Sequence, residues 1–287
     1  MAKLFNRRYE LIIIPPEGDV RTITDLKLTF SITKTLFGVP NKGQLKLYNP
    51  NEATEAALRE RFTQVILNAG YGTDLRLIFK GDVKNITQAK TSVDRVITVF
   101  AGDGSRGYEQ STFSKTFDSG VDVRSIVTEV VDSIKDVALG EITGIPANRD
   151  KPNGLTLDGQ SSHLLDELAA EYNSQWSIQD GVVNFIPVNS TLLDTEAVLI
   201  NPTTGMIGSP RITERGADVT TLLNNQLTPG GRFIIEASGA DVQLGDLNFR
   251  TNNVRTNATG LYKALSVTLT GDSRGGPWQS ELEGERI

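Results

Sequence analysis

The sequence contains no cysteine, which excludes disulfides, zinc–thiolate sites, iron–sulfur clusters and thiol nucleophiles together. It has one histidine, His163, which leaves little room for a histidine-based metal site or for paired acid–base histidines. Long apolar runs are scarce too. The basic N-terminus leads into Leu11–Ile14, a run of only four residues that ends in Pro15-Pro16. A signal-peptide core needs about 7–15 apolar residues and a membrane span about 20, so neither secretion nor membrane insertion is expected. The three sequons at Asn85, Asn189 and Asn257 are accordingly read as chance. Net positive charge is also missing: the balance is −6, which argues against a general nucleic-acid-binding surface.

What is present is β rhythm. The 287 residues can bury a sizeable core in two or three domains. Arg8–Ile14 reads as a first strand. Leu26, Leu28, Phe30 and Ile32 alternate with Lys27, Thr29, Ser31 and Thr33, the period of a half-buried antiparallel strand. Leu45 and Leu47 resume the alternation after a turn. A short helix is then expected, with Asn49 as N-cap, Pro50 at the first helical position and Glu52 completing a capping-box-like start. Ala57, Leu58 and Phe62 form its apolar stripe, and Glu55 and Arg59 are spaced for an i,i+4 ion pair. More strands follow up to about residue 102, enough for a compact barrel or sandwich.

From about Thr112 the period changes. Val123, Ile126, Val127, Val130, Val131 and Ile134 predict a helix capped by Asp122, and a second helix is predicted from Ser161 after a polar loop over 144–160. Asp180-Gly181 marks a tight hairpin after it. β rhythm returns beyond residue 191, and the tail from Ser273 shows little periodicity. The reading is α+β, mainly β, in three parts: a first β-barrel domain over 1–109, a helix–helix–hairpin domain over 110–190 and a second β-barrel domain with a tail over 191–287.

Several patterns invite a catalytic reading and do not sustain it. Gly102, Gly104 and Gly107 satisfy GxGxxG, but no helical periodicity follows and Asp103 would sit beside a phosphate, so the segment is read as a loop at a strand end. Ser162, His163 and Asp166 are adjacent on a helix start and cannot face one another as a triad requires. Asp166, Glu167 and Glu171 look like a solvated helix face rather than a glycosidase pair. Trp176 reads as core. "SRGGPW" reads as a tight bend that presents Trp278 to a partner. No catalytic, cofactor-binding or metal-ligating residue is assigned.

The segments "FSITKTLFGVPNKGQLKLYNPNEATEAALRE", "VILNAGYGTDLRLIFKGDVKNI", "VITVFAGDGSRGY", "LLNNQLTPGGRFIIEAS" and "YKALSVTLTGDSRGGPWQSELE" resemble the baseplate hub, or late tail, proteins of bacteriophages and related contractile injection systems. The resemblance implies two tail-tube-like barrels per chain and a homotrimeric ring that matches a sixfold tail tube on one side and a threefold spike on the other. It further implies a channel for DNA that binds no DNA specifically, no enzymatic activity, and contacts to tube, tape measure, spike and other baseplate proteins in a virion tail assembled in the bacterial cytoplasm. On that reading Leu45, Leu47, Leu58 and Phe62 form the helix-on-barrel core, while Glu55, Arg59, Arg61 and Trp278 face neighbouring subunits. The alternatives are a cell-wall glycosidase and a glycan-binding module with Trp176 as its platform.

Overall fold

The computed structural model describes residues 6–91, 93–145, 150–193, 196–213, 215–237, 241–242 and 257–287. The chain is mainly β. Its first part runs β1 (Arg7–Ile14), β2 (Arg21–Ile23), β3 (Leu28–Thr35), β4 (Lys42–Tyr48), α1 (Glu52–Arg59), β5 (Gln64–Tyr71), β6 (Asp74–Thr91) and β7 (Asp94–Gly102). The middle part comprises α2 (Ser105–Gln110), β8 (Thr112–Phe117), β9 (Val121–Asp122), α3 (Val123–Asp132), β10 (Ala138–Ile142), β11 (Asp150–Lys151), β12 (Leu155–Gln160), α4 (Ser161–Glu171), β13 (Ser174–Gln179) and β14 (Val182–Pro187). The last part comprises β15 (Val198–Ile200), β16 (Met206–Ile212), β17 (Gly216–Leu222), β18 (Arg232–Ile235), β19 (Asp241–Val242), β20 (Gly260–Asp272) and β21 (Trp278–Arg286).

The first and last parts share one sheet. Its strands run β19-β16-β17-β21-β20-β3-β4-β7-β6-β5-β1-β2, with β18 and then β15 branching from β20. The join is β3 against β20, antiparallel over seven residue pairs from Thr29↔Asp272 to Thr35↔Ser266. β20 divides its length between two partners: Gly260–Lys263 pairs with β18 and Ser266–Asp272 with β3. The changeover falls at Leu265, where the register with β21 also shifts. A bulge bends a strand and increases its local twist, and here it lets one strand serve two parts of the sheet.

Period-two burial puts one face of every long strand into the core. Leu28, Phe30 and Ile32 of β3 meet Val267 and Leu269 of β20, and one apolar cluster runs through both parts, from Tyr9 to Leu282. The middle part has a separate core around α3 and α4, with Ile126, Val127, Leu165, Trp176 and Phe185. A small third cluster of Leu36, Ile186 and Leu192, packed by Leu265, sits where the three parts meet.

Four local expectations are corrected. The N-cap of α1 is Asn51, whose side chain accepts from the Thr54 amide at 2.8 Å. Asn49 instead takes a left-handed conformation (φ +53°) and binds β7, its side-chain oxygen accepting from the Arg95 amide at 2.8 Å. Residues 155–160 form β12 on β8 rather than loop. The GxGxxG segment does open a helix, α2, although it is only six residues long. The C-terminal tail is a strand with clean alternation: Trp278, Ser280, Leu282 and Gly284 point inward, and Gln279, Glu281, Glu283 and Glu285 point outward. Two of its inward positions are Ser and Gly, so a hydropathy pattern hides it. Gly284 is required there, since a Cβ would lie 2.4 Å from the Phe233 ring.

Trp278 is therefore not presented to a partner. It is 2% exposed and meets Phe30 edge-on, with ring centroids 5.3 Å apart at 70°. The Arg7 guanidinium lies 5.9 Å from its ring centre. Aromatic packing of this kind contributes beyond area burial. Trp278→Ala is expected to cost about 3–5 kcal/mol of unfolding free energy in urea titration. A loss below about 0.5 kcal/mol would instead indicate a surface residue.

Candidate functional site: assembly surfaces and a buried polar seam

Helix α1 lies on β1 and β6. Leu58, on the inner side of the helix, and Leu45 and Leu47 of β4 are all buried in the main apolar cluster. Phe62 is not part of that core. The helix ends at Arg59, and Phe62 follows it in a left-handed conformation (φ +69°) with 43% of its surface exposed. Beyond the last turn it no longer continues the helical stripe. Its ring is flanked by the Arg106 guanidinium at 4.4 Å and by that of Arg61 at 5.3 Å.

Of the residues expected to face neighbours, Glu55 and Arg59 make the anticipated i,i+4 pair at 2.8 Å. They are also committed within the chain. Glu55 pairs with Arg95 at 3.3 Å, and Arg59 donates to Gln88 at 3.1 Å, so the pair ties α1 to the β6–β7 hairpin. Arg61 is exposed.

The sheet face opposite the core is polar across the β3–β20 join. Residues paired across an antiparallel sheet share a face. One row therefore reads Thr220, Glu281, Thr268, Thr33, Lys42. A second reads Gln279, Thr270, Ser31, Gln44, Phe100, Asn85, and a third Asp272, Thr29, Lys46, Thr98, Thr87. Hydroxyls dominate the middle. Glu281, Glu283 and Glu285 line one end, where Asp218 binds Arg211 at 2.5 Å, and Lys42 and Lys46 are the cations at the other. Nothing in the strand periodicity of a single segment indicates this continuous face, because it depends on which strands pair.

A buried polar seam fastens the first part to the β13–β14 hairpin. Asp180-Gly181 forms the predicted two-residue turn, with φ of +55° and +85°. The Asp103 carboxylate, fully buried, accepts from the Asp180 amide at 2.5 Å and the Gly181 amide at 2.8 Å. The Asn41 side-chain amide donates to the Ile178 carbonyl at 2.7 Å and to Gln179 at 2.9 Å, while Gln179 donates to the Thr35 carbonyl at 2.7 Å. The buried ammonium of Lys34 pairs with Asp180 at 2.6 Å. Burial, reinforced by the Asp180 charge, pushes the Asp103 carboxyl up to about 7, against the opposing pull of Lys34 and the two amides.

The same geometry closes the GxGxxG question. Asp82 accepts from the Arg106 amide at 3.0 Å, so a carboxylate already occupies the first turn of α2, and Asp103 fills the adjoining space. A pyrophosphate would meet two carboxylates there. The triad reading fails as well, since Ser162 is buried with its hydroxyl donating to the Tyr108 carbonyl at 3.2 Å, whereas His163 is exposed. Asp166 accepts from the Trp176 indole at 2.7 Å, and Glu171 is bound by Lys151. Trp176 is buried against Tyr108, with ring centroids 6.1 Å apart, so it offers no sugar platform. Among the described residues no cluster of histidine, aspartate or glutamate could hold a metal ion.

The sign of the Asp103 effect follows from proton uptake. Its carboxyl holds a proton more tightly folded than unfolded, so stability falls as pH rises from about 4 to about 7 and is level above that. Wild-type protein should show a lower urea midpoint at pH 8 than at pH 5. Asp103→Asn, although weaker overall, should lose that contribution to the slope.

Comparison with protein-family models and with curated protein sequences finds no match. Solved structures do match. The 43 kDa tail protein of prophage MuSo2 from Shewanella oneidensis superposes with a TM-score of 0.62 at 8% identity, covering 96% of each chain. A tail protein from Neisseria meningitidis MC58 gives 0.60 at 8% identity, over 97% of this chain and 96% of that one. The E. coli c3393 protein is a type VI secretion component described as structurally similar to the T4 bacteriophage tail proteins gp27 and gp5. It gives 0.57 at 10% identity, over 91% of this chain and 73% of that one. Along nearly its whole length, this chain has the fold of phage tail proteins.

Proposed function

We propose that the chain is a structural, non-enzymatic hub subunit of a phage tail baseplate. Three copies form a ring, and each contributes its first and last β parts as two similar wall segments. Six segments then meet a sixfold tube, while the three-chain assembly meets a threefold spike. The observation that supports this most directly is the continuous sheet: β3 and β20 join the two β parts edge to edge, so one chain supplies an uninterrupted stretch of wall. Among the described residues, the strands at the two ends of this order, β19 and β2, have a free edge that can serve as a template for closure by neighbouring copies.

The polar face of that sheet would line the channel. A polyanion slides where it meets few fixed cations, because neutralised phosphates are what hold DNA to a protein. On this face the carboxylates of Asp218, Asp272, Glu281, Glu283 and Glu285 outnumber the cations Lys27, Lys42, Lys46 and Arg211, and Lys27 and Arg211 are paired to Asp272 and Asp218, with hydroxyls between. The subunit is expected to act in the virion tail after assembly in the host cytoplasm, beside spike, tube and tape measure proteins. Of the carboxylates named for the glycosidase reading, Asp166 and Glu171 are engaged in internal hydrogen bonds, and Trp176, the platform of the glycan-binding reading, is buried.

Native mass spectrometry across concentration tests the reading. Three copies of the 31.2 kDa chain give a species of about 94 kDa, alone or on addition of the spike protein. A monomer under both conditions, or turnover of peptidoglycan by the purified chain, would overturn it.

A further inference from the structure

A cleft of 370 Å³ opens between the start of β1 and the turn joining β20 to β21. Arg7, Arg8 and Arg274 line it, brought together from the start of β1 and the β20–β21 turn. Among the described residues none of the three makes an ion pair with a carboxylate, in a chain whose net charge is −6. Two of the heads are pinned by backbone: Arg7 donates to the Gly276 carbonyl at 2.7 Å, and Arg274 donates to the Asp25 carbonyl. These bonds staple the turn to β1 and to the segment before β3. They use one donor of each guanidinium and leave the rest of each fork unused. Arg8 makes no polar contact among the described residues, so stapling does not account for it. The acidic group in the lining, Asp25, is exposed and accepts from its neighbour Thr24 at 3.2 Å.

We propose that this cleft is a docking site for the carboxylate of an acidic side chain on a partner protein. Two guanidiniums held in place, those of Arg7 and Arg274, with Arg8 bordering the same cleft, suit a planar carboxylate, which a guanidinium fork can grip in bidentate fashion. The wall beside them is apolar, from Tyr9, Leu26 and Leu75. That wall suits the hydrocarbon stem of a glutamate better than a bare inorganic anion. The volume holds one such group rather than a polymer track. A nucleic acid would also meet the negative charge of the rest of the chain, whereas an acidic side chain carried on a protein surface meets it only locally. The inference takes from the proposed hub role only the expectation of protein partners.

Titration of the full chain with a blocked poly-glutamate peptide, followed by calorimetry and by the arginine side-chain NMR signals, tests the site. Inorganic phosphate serves as the parallel probe. The peptide is expected to shift the arginine signals, and Arg8→Gln or Arg274→Gln should weaken binding at least about tenfold, the weight of one charge-assisted hydrogen bond. Arg8→Gln removes no described contact and so keeps the fold as reference. Absence of peptide binding, equal binding by both variants, or phosphate competing as well as the peptide would each overturn the assignment. Since the readout is peptide affinity, it can fail while the 94 kDa species still forms, and the reverse also holds.

Discussion

Everything in this molecule depends on the pairing of β3 with β20. It joins segments more than two hundred residues apart into one sheet. Seven pairs of residues, with Phe30, Ile32, Val267 and Leu269 inward, carry the join. Each backbone hydrogen bond adds only about 0.5–1.5 kcal/mol net, so the apolar layer beneath does most of the holding. Trp278 closes that layer against Phe30, and Gly271 makes it possible, because a Cβ there would lie 2.2 Å from the Phe30 ring.

The middle part is attached differently. It keeps its own core, and its hairpin meets the first part chiefly through Asp103, Asn41, Lys34 and Gln179, with only a small shared apolar cluster. Buried polar contacts stabilise little if they are incomplete, but they reject any arrangement that leaves a partner unsatisfied. The hairpin is thus held in one orientation by hydrogen-bond geometry, with the Leu36, Ile186 and Leu192 cluster filling the remaining gap.

Much of this is legible in the sequence where burial and aliphatic character coincide. The alternation of Leu28, Phe30 and Ile32, the helical spacing from Val123 to Ile134, the Asp180-Gly181 turn and the buried Trp176 all read directly. Legibility fails where the inward residue is small or polar. Strand β21 hides behind its inward Ser280 and Gly284, and β12 buries only Leu157, which leaves no alternation to read. It fails again where one residue type has two uses. Asn49 and Asn51 are both good caps, and the β7 backbone claims the first of them. Phe62 has the spacing of a helix stripe, yet the helix has already ended. The polar sheet face and the arginine cleft are products of long-range pairing, and local periodicity carries no information about them.

The same join has a consequence for how the chain is made. During synthesis, residues 29–35 can pair with β4 as soon as it follows them out, while their other partner, residues 266–272, is still to be translated. Domains generally fold from the N-terminus as the chain is made, so the first part would wait with an open apolar-backed edge. Such an edge invites pairing with other chains, including nascent copies of the same protein. Contacts this distant in sequence also slow the final step. The strand that unites the sheet arrives more than two hundred residues after its partner, and until then the protein depends on whatever in the cell keeps unfinished β-sheets apart.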